Sequence, residues 1–81
     1  MIPFKIKTAE ETAKDCIDMK YGFSVPLTLA TTPKKYAILL NGIPYTTDHL
    51  YERLGKLVHG SDIESLEVID CKAYQEYLIT L

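Results

Sequence analysis

The sequence predicts an α+β domain: a two-layer sandwich of order β-α-β-β(-β)-α-β, with two helices on one face of a mainly antiparallel sheet. Three observations carry that expectation. Asn41-Gly42 lies between the apolar runs 36–40 and 43–46. Both central residues of a type I′ turn need positive φ, which Gly adopts freely and Asn tolerates, so the pair marks a tight β-hairpin. Thr8-Ala9-Glu10-Glu11 has the form of a capping box ahead of apolar residues at helical spacing. A second amphipathic stripe, Leu50, Leu54, Leu57 and Val58, stops at Gly60.

Taken in order, Ile2, Phe4 and Ile6 alternate with Pro3, Lys5 and Lys7, a period-two strand with one buried face. Pro3 cannot donate to a ladder and belongs at the strand start or on an open edge. Thr8 then caps a helix, with Glu11 reaching back to the cap N–H. Ala9, Ala13, Cys16, Ile17 and Tyr21 form its inner face, and Gly22 is its natural stop. Val25, Leu27 and Leu29 alternate with Pro26, Thr28 and Ala30, which reads as another strand, followed by a turn over 31–35. The run 36–40 is apolar on both faces, the pattern of a strand in the middle of a sheet.

Ile43–Tyr45 makes the short return after the hairpin turn, and Pro44 assigns it to a sheet edge. Thr46, Thr47 and Asp48 offer caps for the second helix, and Lys56 and His59 suit its last turn. Gly55, inside that helix, costs about 1 kcal/mol against Ala, which suggests close approach to the sheet. Residues 66–69 read as a strand. The tail carries two patterns: Cys71, Tyr74, Leu78 and Leu81 share a helical face, whereas Ile69, Cys71, Ala73, Tyr77 and Ile79 suit a strand. The β-branched ending Ile79-Thr80 favours a strand-like finish. The resulting order is that of a ferredoxin-like sandwich or a close variant with an added hairpin.

A chain of 81 residues accommodates one domain, spanning 1–81. Its 47% hydrophobic and 25% charged residues are ordinary for a globular protein, away from the disordered extreme. The longest apolar run falls far short of the roughly 20 residues that cross a bilayer. The start lacks a basic segment followed by an apolar one, so no signal peptide is read. The expectation is a cytoplasmic protein, of a bacterial or host cell, neither secreted nor membrane-bound. The net charge is −2, made of +2 over residues 1–40 and −4 over 41–81. Such a chain builds no cationic stripe to release counterions from a phosphate backbone, which disfavours nucleic-acid binding.

The chemical inventory is thin. Cys16 and Cys71 read as free buried thiols, and Asp70 beside Cys71 would raise its pKa. His49 and His59, ten residues apart on one helix, face about 80° apart at ~100° per residue. With no Cys-x-x-Cys or His-x-x-x-His pair, no metal site is expected. The four glycines are isolated, so no phosphate-binding loop exists, and neither a cofactor nor an enzymatic activity is expected. Six tyrosines, against two Phe and no Trp, are the compositional oddity. Tyr offers large, stiff contact area with a polar tip. Tyr36, Tyr45 and Tyr51, with Lys34 and Lys35 at the far end of the hairpin, are therefore the candidate partner-binding residues.

The expected function is that of a small non-enzymatic interaction protein, engaging a protein partner or a second copy of itself as a homodimer. Short, acidic, motif-poor single domains of this profile include phage- and mobile-element-encoded inhibitors of host defence systems. The alternatives are a nucleic-acid-binding ferredoxin-like module and a small ligand-binding domain. The first would stack bases on aromatic residues of the sheet. The second would need a pocket lined by Tyr and one of the His residues.

Overall fold

In a computed structural model describing residues 5–60 and 62–80, the hairpin stands where the sequence puts it. Strand β1 (Ile6–Lys7) is followed by helices α1 (Ala9–Ile17) and α2 (Ser24–Thr31), then by strands β2 (Tyr36–Leu40) and β3 (Ile43–Thr47). Asn41 and Gly42 between β2 and β3 take φ of 52° and 82°, as a type I′ turn requires. The Asn41 side chain also holds the next loop. Its Oδ1 accepts from the backbone N–H groups of Glu64 (2.7 Å) and Ser65 (3.0 Å), and its Nδ2 donates to the Asp62 carbonyl (2.9 Å). That loop joins helix α3 (Leu50–Val58) to strand β4 (Leu66–Asp70), and helix α4 (Cys71–Thr80) completes the chain.

The fold is α+β, with four helices and a four-stranded mixed sheet of order β1-β4-β2-β3. β2 is antiparallel to both β3 and β4, while β1 runs parallel to β4. Strand β2 is apolar on both sides because it feeds two cores. Ala37 and Leu39, with Ile69 of β4, pack against α1, α2 and α4 through Ala13, Val25, Leu29 and Tyr74. Ile38 and Val68 point the other way, onto Leu50 and Leu54 of α3. Helices therefore lie on both faces of the sheet, whereas the sequence suggested two on one face. The observed order, β-α-α-β-β-α-β-α with a parallel β1–β4 pair, also replaces the ferredoxin-like alternation expected from the sequence.

The segment 25–30, read as a strand, is a helix, and so is the tail, whose residues suited either form. In α2, Pro26 lies in the first turn, where N–H groups have no intrahelical acceptor and its missing donor costs nothing. Val25 and Leu29, one turn apart, are 3% and 0% exposed, while Leu27 turns outward at 67%. The Thr28 and Thr31 hydroxyls donate to the carbonyls of Ser24 and Leu27, at 2.9 and 2.8 Å. Helix α4 begins where the Asp70 carboxylate accepts from Ala73 N–H at 3.0 Å, an N-cap inside the predicted strand end. Gln75, which breaks the alternation of a strand, donates to the carbonyls of Leu29 (3.1 Å) and Thr32 (2.8 Å) and ties α4 to the end of α2.

Smaller departures concern helix ends and one glycine. Thr8 caps α1, accepting from Glu11 N–H at 3.1 Å, and Glu11 Oε1 accepts from the Thr8 hydroxyl (3.2 Å) rather than from its backbone N–H. The helix stops at Met19, not Gly22. Met19 takes φ of 60°, Met19 N–H donates to Cys16 O and Lys20 N–H to Asp15 O, which together make a Schellman closure. A Cβ on Gly55 would meet nothing within 4 Å, so close packing is not its reason. The predicted first strand survives as Ile6–Lys7, and its earlier part, 1–4, lies outside the described residues.

The outer strand β3 is an edge, as Pro44 implies, and a poorly equipped one. Leu40 and Ile43 close the two-residue turn as a hydrogen-bonded pair, so Pro44 and Thr46 direct their backbone groups outward. Pro44 has no N–H. Along β3 the free edge thus offers a single donor, that of Thr46.

Candidate functional site

The five residues singled out from the sequence fall partly together. Tyr36 and Tyr51 line one open cleft of about 410 Å³ with Ile6, Asp48, His49 and Glu52, beside the first turn of α3. Tyr36 is half-buried, while Tyr51 is 68% exposed. Asp48 organises the lysines: its Oδ1 accepts from Lys35 N–H at 3.0 Å and its Oδ2 lies 3.5 Å from Lys34 Nζ. The Lys35 hydrogen bond, helped by the Lys34 charge, holds the Asp48 carboxyl below the usual carboxylate range. Tyr45 lies apart from the cleft, half-buried on the α3 core with the Arg53 guanidinium 5.6 Å from its ring centre. The pocket of Tyr and His required by the ligand-binding alternative therefore exists in outline, but His49 and Tyr51 are exposed on its rim rather than converging within it.

A second polar cluster joins β1, the end of α1 and β4. Lys7 Nζ contacts the Asp15 carboxylate and the Tyr21 hydroxyl, and lies 3.5 Å from Glu67. Lys20 Nζ bonds Glu67 at 2.7 Å and approaches Asp15 at 3.6 Å. Burial draws the Lys7 ammonium below its ordinary pKa, against the pull of Glu67. Burial also opposes ionisation of Glu67, yet the hydrogen bond from Lys20 and the charge of Lys7 hold its carboxyl below the usual range. Two cations thus face two carboxylates, and the four side chains brace β1 and the end of α1 against β4. Cys71 is fully buried, and burial followed by the Asp70 charge pushes its thiol up to about 11. Burial, with Cys16 beside it, likewise raises Tyr74 to about 12.

The most distinctive surface was not singled out by the sequence reading. Residues 21–33 carry no charged side chain, and α2 lies wholly within that run. One side of α2 is core; the other presents Phe23 at 88% and Leu27 at 67% exposure. The preceding turn adds Met19 (56%), and the last residue of α1 adds Ile17 (78%). Met19, Phe23 and Leu27, with Cys16, Gly22 and Pro26, line an almost wholly apolar groove of about 520 Å³. Taking about 150–200 Å² for a large apolar residue, the four exposed side chains present roughly 430–580 Å². That matches the largest apolar patch of a typical monomer, about 300–600 Å², which is often functional. The signal that could have revealed it is Leu27: in a strand it shares the buried side of Val25 and Leu29, and in a helix it cannot.

Met19 adds a second mark. A non-glycine residue at φ of 60° is strained by about 1–2 kcal/mol, and such strain gathers where a side chain serves a purpose. Here Gly would close the helix more cheaply, but it would remove the Met19 side chain from the groove wall.

No family model, curated protein or solved structure matches the chain. Among the described residues, no group of three or more His, Cys, Asp and Glu could hold a metal ion, and no helix is long and apolar enough to cross a membrane.

Proposed function

We propose that this chain is a small non-enzymatic docking protein whose contact surface is the apolar corner formed by the end of α1, the Met19 turn and the outer side of α2. The observation that carries the reading is the groove between Met19, Phe23 and Leu27, exposed within a thirteen-residue run free of charge. An apolar patch of this size is often a functional surface. The strained backbone at Met19 supports the same reading. Base stacking finds less support, because helices lie on both faces of the sheet and leave no open aromatic platform. Strand addition at β3 is likewise disfavoured by the donor that Pro44 lacks.

Site-specific photo-crosslinking tests the proposal. A benzophenone-bearing phenylalanine analogue is placed at position 23, 27 or 56, the last lying on α3 across the sheet. Adducts are expected from 23 and 27 and not from 56. Equal yields at all three positions, or none at 23 and 27, would refute it.

A further inference from the structure

The occupant of the corner can be specified further, on the reading that the corner is a docking surface. We infer that the corner is covered by a second copy of this chain, in a two-fold symmetric dimer. Three features point to self-association. In a symmetric interface each patch meets its own image, so charges near the axis face like charges. Residues 21–33 carry none, and self-pairing of α2 therefore brings no repulsion. Of the flanking charges, Asp15 and Lys20 are held within the polar cluster with Lys7 and Glu67, while Lys14 and Asp18, of opposite sign, give the rim charges that can pair across the axis.

The shape is also self-complementary. Phe23, 88% exposed, is one wall of the open apolar groove of about 520 Å³. A two-fold rotation can therefore lay each Phe23 ring against the groove of the other copy. The area is of the right order. Doubling roughly 430–580 Å² gives about 860–1,160 Å² with all four side chains wholly covered, a ceiling at the low end of specific interfaces. No edge of the sheet needs to take part, in keeping with the single donor on β3.

Sedimentation equilibrium on the purified chain, over about two decades of micromolar concentration, tests the inference. The wild type should move from the 9.2 kDa chain mass to twice that value. Phe23→Asp and Leu27→Lys should each raise the dissociation constant at least about 30-fold, as at an interface hot spot. Both positions are exposed, so both variants should keep the wild-type far-UV circular dichroism. Lys56→Gln, on α3, should leave the dimer unchanged. A wild type that stays at 9.2 kDa throughout overturns the dimer, as does one whose association survives both corner variants. The crosslinking experiment keeps the two readings apart. Adducts from position 23 to a different protein, with a monomeric wild type, overturn the dimer and leave the docking surface standing. A monomeric wild type with no adduct at 23 or 27 overturns both.

Discussion

Met19 allows backbone strain and side-chain contact to be measured separately. Its φ of 60° costs an L residue about 1–2 kcal/mol and glycine essentially nothing. Met19→Ala and Met19→Gly both delete a side chain that is 56% exposed, so the lost burial cancels between them. The strain remains in the alanine variant and vanishes in the glycine variant. Against that relief stands about 0.5–1 kcal/mol for the greater freedom of glycine in the unfolded chain. Taking the middle of each range, the balance favours Met19→Gly over Met19→Ala by about 0.75 kcal/mol, or about 3–6 °C in Tm for a chain of this size. Urea denaturation followed by circular dichroism resolves such a difference if the slope is unchanged. Association should weaken equally in the two variants, because both lose the groove wall. An alanine variant as stable as the glycine variant would refute the account of the helix end. Unequal association would refute the role given to the side chain.

Leu29→Ala should cost about 2–5 kcal/mol and Leu27→Ala less than about 0.5, since one is fully buried and the other 67% exposed; comparable losses would restore the strand reading of 25–30. Gly55 is exposed, lies inside α3 and has open space where a Cβ would go, so Gly55→Ala should stabilise the chain by up to about 1 kcal/mol in thermal melts. A loss there would mean that an unseen contact fills that space. The Cys71 thiol ionises near 11 when folded and near 9.0 ordinarily, so the unfolded chain loses its proton first. Its contribution is therefore fully present below about pH 9 and lost as pH rises toward about 11. Cys71→Ala should accordingly show a shallower fall in urea midpoint between about pH 8 and about pH 10.5 than the wild type. An identical fall would contradict the assignment.

Local signals in the sequence were legible where one backbone conformation satisfied them. The Asn41-Gly42 turn, the Thr8 cap, the Leu50 and Leu54 stripe and the apolar run of β2 each have a single economical solution. The segment 24–31 does not. Residues 25 and 29 fall on one side of a strand and equally on one side of a helix, because a spacing of four serves both periods. Only Leu27 separates the two, and a hydrophobic residue assigned inward gives no hint that it faces water. The same ambiguity that hid the helix therefore hid the exposed apolar corner. In the tail, Asp70 ends a strand and caps a helix at once, and Gln75 finds its partners on α2, 43 and 46 residues away in sequence. The placement of α3 opposite the other helices is tertiary, and no local pattern encodes it. Among the tyrosines, residue type could suggest a contact surface, but only the fold could bring Tyr36 and Tyr51 to one cleft and set Tyr45 apart.

The proline on the hairpin return matters most to a protein that carries a sticky corner. Concentrated small proteins with open sheets are prone to grow into fibres, each newcomer zipping its backbone onto the last. Here that route is interrupted at Pro44, where an incoming strand finds an acceptor without its matching donor. With the β3 edge so blunted, a symmetric pairing on the helical side consumes the surface it uses. Crowding such molecules should yield discrete pairs that remain in solution rather than filaments.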